Sequence, residues 1–90
     1  MAELGSLAIN RGETGLIKSG PGILKGIVVN SHSSGTVKIY DSTSATGIVI
    51  MNTFSFPTGS GVYNFADGIN FKNGLHIVVG GTLDCTVIYN

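Results

Sequence analysis

The sequence predicts an all-β chain, a single-domain β-sandwich or jelly-roll-like barrel of about seven or eight short antiparallel strands. Three observations carry that expectation. Fourteen glycines and eight threonines, with many Val and Ile, favour strands and tight turns over helix. Turn signals recur at the short, regular spacing of sandwiches and barrels. Several segments alternate apolar and polar residues with a period of two, as strands with one buried face do.

The elements follow in order. The first dozen residues fit the strand rhythm least, so 1–13 is expected to be an N-terminal arm and 14–90 the β domain. Candidate strands lie at 14–19, 23–30, 35–41, 47–56, 61–66, 69–72, 74–80 and 82–89. Gly20-Pro21-Gly22 separates the first two, Pro21 presetting φ and removing a donor. "ILKGIVVN" is apolar on both faces, which predicts a strand that is central or covered by another subunit. In "VKIYD", Val37 and Ile39 oppose Lys38 and Tyr40. "GIVIMNTFSF" begins apolar on both faces, then sets Phe54 and Phe56 against Thr53 and Ser55, and "FPTGSG" ends it. Asn73-Gly74 is the strongest short-range hairpin signal, because a type I′ turn needs φ > 0 at both positions. "LHIVVGG" is again apolar on both faces, and Gly80-Gly81 predicts a bulge or tight corner. The last strand alternates best, with Leu83, Cys85, Val87 and Tyr89 on one face and Asp84, Thr86, Ile88 and Asn90 on the other.

The totals bear on how such a chain is supported. A chain of 90 residues buries only about 60–65% of the surface its unfolded form exposes. Cys85 is the only cysteine, so no internal disulfide can help, and His32, His76 and Cys85 are too scattered to suggest a metal cluster. Charged residues are 11% with zero net charge, against about 25% in ordinary soluble domains. Self-association is therefore the expected support, and part of the surface is expected to be covered by a partner. Arg11, Lys18, Lys25, Lys38 and Lys72 stand singly, which offers nucleic acid no footprint. No apolar run approaches the length of a membrane helix. "MAELGSLAINRGETG" lacks a basic n-region and an apolar h-region, so synthesis in a cytoplasm without a secretion signal is expected.

Several residues invite chemistry, and each has a plainer reading. His32, Ser34 and Asp41 have triad identities, but an extended 35–41 would carry Asp41 roughly 20 Å from the turn. They read as joints of a sheet. His76, flanked by Leu75 and Ile77, reads as a half-buried sheet residue rather than a pH-sensitive one. "DGINFKNG" offers Asp67, Asn70 and Asn73 as oxygen ligands but lacks the calcium-loop pattern and its charge. Cys85 reads as a small core hydrophobe. The aromatics Tyr40, Phe54, Phe56, Tyr63, Phe65, Phe71 and Tyr89 could in part form a sugar-stacking platform, but read first as core. No catalytic, cofactor-binding or metal-binding residue is expected.

The runs "KGIVVNSHSSGTVKIYDSTSATGIVI", "FPTGSGVYNF" and "GINFKNGLHIVVGGTLDCTVIYN" resemble a group of very small β-rich virion proteins encoded by tailed phages. The resemblance covers roughly residues 23–90, and the ending "NGL…GG…D.TV.Y" is its most distinctive part. It implies a head decoration, or cement, protein that works as an oligomer, and it carries over no catalytic residue.

The expected function is therefore structural. The chain would assemble as a homotrimer or similar ring and bind the major capsid protein lattice on the head surface, without nucleic acid, membrane or cofactor. Apolar faces would be buried between copies, and repeated contacts would add avidity. Leu4, Leu7, Ile9 and Arg11 are the candidate partner contacts, being largely apolar yet outside the strand rhythm. The alternative is a tail- or fibre-associated module that binds glycans or receptors through loops such as "STSATG" and "PTGSG".

Overall fold

The computed structural model describes residues 7–56 and 60–90. Its elements are all strands: β1 Leu7–Arg11, β2 Gly15–Ser19, β3 Gly22–Asp41, β4 Ile48–Ser55, β5 Gly61–Phe71 and β6 Gly74–Tyr89. All pairings are antiparallel, and they form one sheet around the long β3–β6 ribbon. The all-β expectation holds.

The ribbon is folded over on itself. β3 has 20 residues, which would span about 66 Å if straight, yet the longest dimension of the molecule is 39 Å. Its two ends meet at one corner: Gly22 pairs with Phe71, and Asp41 accepts the N–H of Lys72, the next residue. Two layers result. The first half of β3 and the second half of β6 are flanked by β5 and β1, and the remaining halves by β4 and β2. The double-sided apolar runs 23–30 and 74–80 occupy the central strands, with a neighbour on each side.

Side chains facing between the layers make the core. Leu24, Ile27, Val29, Val37 and Ile39 of β3 pack with Leu75, Ile77, Leu83, Cys85 and Val87 of β6, and Phe56 and Phe71 close it. The period-two reading of 37–41 and 83–89 holds residue by residue. It places one charged group, Asp41, on the inward face.

Three pairs of expected strands are single strands, each bent without losing its ladder. Each bend carries a positive φ, at Ser34, Gly68 and Gly81. Ser34 and Gly81 bend together, because a side chain on Gly81 would collide with the Ser34 carbonyl. At Gly68, β5 swells, so that its register against β3 jumps from Asn64 to Ile69 while β3 advances only from Gly26 to Leu24. The Gly80-Gly81 reading, a bulge or corner, agrees with this geometry.

Asn73-Gly74 corrects an expectation. Neither residue has positive φ, and β5 and β6 do not pair with each other. The segment carries the chain from one layer to the other. Asp41 determines its shape by accepting three successive backbone N–H groups, and Gly74 is needed because the carbonyls of Ser42 and Lys18 press on the space a Cβ would fill.

Candidate functional site

The residues singled out from sequence are not brought together. Ile9 is half-buried against the core, opposite Val87 in the ladder. Arg11 pairs with Cys85, and its Nη2 donates to the Leu16 carbonyl at 3.4 Å. Leu7 pairs with Tyr89 through its backbone, whereas Leu4 lies outside the described residues, as do 57–59 of the "PTGSG" loop. Residues 7–11 of the expected arm thus form an edge strand of the sheet. Their irregular pattern reflects a position half-covered by a single neighbour.

His32 accepts the Gly35 N–H on Nδ1 at 3.1 Å, and its ring lies 5.8 Å from that of Phe56. Asp41 sits at the other end of that half of β3, engaged with 72–74. Burial raises its pKa, but the N–H groups of Asn73, Lys72 and Gly74 and the Lys72 charge outweigh it, so the carboxyl is held below its ordinary value. These are structural tasks. His76 stands in an outward row across four strands, Leu16–His76–Tyr40–Val49, and its buried Nδ1 has no partner. Among the described residues no cluster of three His, Cys, Asp or Glu could hold a metal. Cys85 is buried, and that burial, with the Asp84 charge, pushes its thiol pKa up against the smaller pull of Arg11.

What the fold does assemble is an aromatic cavity. β4 and β5 are the edge strands of opposite layers on the same side of the sandwich. Between them lies a space of about 160 Å³, lined by Ile27, Met51, Phe54, Phe56, Tyr63 and Phe65. Phe54 and Phe56 meet nearly edge-on at 5.3 Å, Phe54 and Tyr63 at 5.6 Å, and Phe56 and Tyr63 tilted at 5.2 Å. These are the spacings at which ring quadrupoles attract. Phe56 is buried, while Phe54 is 37% exposed and marks the solvent side.

The sequence carried a signal for this cavity. Phe54 and Phe56 are two apart, as are Tyr63 and Phe65, and the pairs flank one turn. That spacing marks two same-face aromatic pairs, but not that the strands carrying them lie in different layers facing one another. Reading the rings first as core, with a sugar-stacking platform as the other possibility, did not place the space between them.

A second hollow of about 170 Å³ lies beside Val28, Val62 and Ile88, with Lys25, Gly26 and Asn64 also lining it. Among the described residues, the exposed large apolar side chains are Leu16, Ile48, Val49, Phe54 and Val62, and four of these five belong to β4 and β5. From Ser42 to Phe71 the chain carries a single charge, Asp67. The side of the sandwich bearing the cavity is thus its least charged one.

The site and fold define an all-β sandwich with a sparsely charged, apolar edge and an aromatic cavity within it. Comparison with protein families, with curated proteins and with solved structures found no match to this chain.

Proposed function

We propose that the chain is a non-enzymatic structural protein of a tailed-phage virion, a capsid decoration or cement protein that self-associates and adheres to the head lattice. The observation that carries this reading is the concentration of exposed apolar residues on β4 and β5, with Ile48 62% and Val62 72% exposed. Sheet edges of monomeric proteins are normally blunted by Lys, Pro or inward charges, and β4 has no charged residue. The likeness of residues 23–90 to small phage virion proteins supplies the lattice.

The chain buries an apolar core of its own between the layers, and association on this reading would cover the apolar side chains left exposed on β4 and β5. The mass of the purified protein in solution, followed by mixing with undecorated heads, tests it. An oligomer that co-sediments with the particles is the expected result; a monomer that ignores them defeats the reading.

The second reading, a tail- or fibre-associated glycan or receptor-binding module, draws on the exposed face of Phe54 beside Tyr63. Sugar sites combine such rings with convergent polar groups, whereas the surface this cavity presents is wholly apolar. Binding on a glycan array with no attachment to heads would favour it.

A further inference from the structure

We propose that the cavity between β4 and β5 is a binding site for a small, neutral, single-ring apolar molecule. The inference is independent of assembly and rests on size, lining and access. An enclosed cavity of about 150 Å³ lined by Leu, Ile and Phe takes up benzene; this one offers similar room, about 160 Å³, and opens to solvent past Phe54. Its walls are the inward-facing Ile27 of β3, Met51 and Phe54 of β4, Phe56 just past the end of β4, and Tyr63 and Phe65 of β5.

The lining decides the chemistry. No charged side chain faces the space, so an ionised ligand would lose its hydration without compensation. Three rings already hold one another at 5.2–5.6 Å with steep mutual tilts. A fourth ring entering the cavity would meet both faces and edges, the arrangement aromatic pairs prefer. Met51 adds a polarizable thioether that adapts to a guest and favours contact with ring edges. Access lies on the side where both layers end, past the part-exposed Phe54.

The experiment is thermal unfolding of the intact protein with benzene, and with benzoate as the same ring carrying a charge. Benzene should raise the midpoint in proportion to the logarithm of its concentration above the dissociation constant, by about 8 °C at ten times that constant, and benzoate should not. Met51→Phe, which fills the space with a ring of its own, should weaken benzene binding at least tenfold. No shift with benzene, or an unchanged shift in Met51→Phe, overturns the proposal. Should that variant fail to fold, nuclear Overhauser contacts from benzene protons in the native protein decide the matter. Contacts to the Met51 methyl group and the rings of Phe54, Phe56 and Tyr63 support the site, and contacts elsewhere overturn it.

Discussion

The carboxylate of Asp41 holds the backbone N–H of Asn73 at 2.7 Å, across a sequence separation of 32 residues. The same group accepts Lys72 at 3.0 Å and Gly74 at 3.4 Å, so one side chain satisfies the whole corner between β5 and β6. Asp41→Asn keeps the size and an acceptor at Oδ1, but sets an NH₂ against the Lys72 N–H in place of Oδ2 and removes the charge that strengthens all three bonds. It should lose about 1–3 kcal/mol of stability, measured by urea unfolding at neutral pH.

The pH dependence follows from the same contact. The folded-state pKa of Asp41 lies below the ordinary 3.8, so the unfolded chain takes up a proton first as the solution is acidified. The contribution of the carboxylate is present in full above that ordinary value and is lost as pH falls below it through the folded pKa. Unfolding curves between about pH 5 and pH 2 should show a steeper loss in the native protein than in Asp41→Asn. Equal slopes would remove the carboxylate from the account.

Asp41 also shows what was and was not legible in the sequence. Its inward position follows from the alternation Val37, Ile39, Asp41, as the faces of 83–89 follow from theirs. Such patterns are local and have a fixed period. The corner at Asn73-Gly74 looked like a hairpin because dipeptide signals register only near neighbours, while its geometry is set by a carboxylate 32 residues away. Bends at Ser34, Gly68 and Gly81 looked like strand ends because a turn residue does not reveal whether neighbouring strands bend with it. The cavity needed the knowledge that β4 and β5 face each other from different layers, and no single segment contains that fact.

Gly81 and Gly20 separate crowding from backbone strain. Both have positive φ, +69° and +89°, but a Cβ at Gly20 meets nothing within 4 Å, whereas at Gly81 it strikes the Ser34 backbone. Gly20→Ala should therefore cost about 1 kcal/mol, for the left-handed conformation alone. Gly81→Ala should cost more than about 2 kcal/mol, since the paired bends of β3 and β6 must part. Similar losses in the two variants would mean that the β3–β6 bends are not in tight contact.

Cys85 should be a reporter of opening rather than a reactive group. It is fully buried on the inward face of β6, and its raised thiol pKa lowers the thiolate fraction further. Labelling by a thiol reagent should be slow in the native protein and accelerate with urea in step with global unfolding. Fast labelling without denaturant would place the β6 edge next to β1 in frequent local opening.

The sparsely charged side bearing β4 and β5 yields the test most directly tied to assembly. Burying a lysine ammonium in an apolar contact without a partner is costly, whereas a lysine on a solvated surface is nearly neutral for folding. Ile48→Lys and Val62→Lys replace residues 62% and 72% exposed, so each should leave the unfolding midpoint almost unchanged. Each should weaken self-association on the order of tenfold or more in sedimentation equilibrium. Leu16→Lys, on β2 at the opposite side of the sandwich, should leave association unaffected. If Leu16→Lys alone dissociates the oligomer, the contact lies on the β2 side, and the apolar character of β4 and β5 needs another explanation.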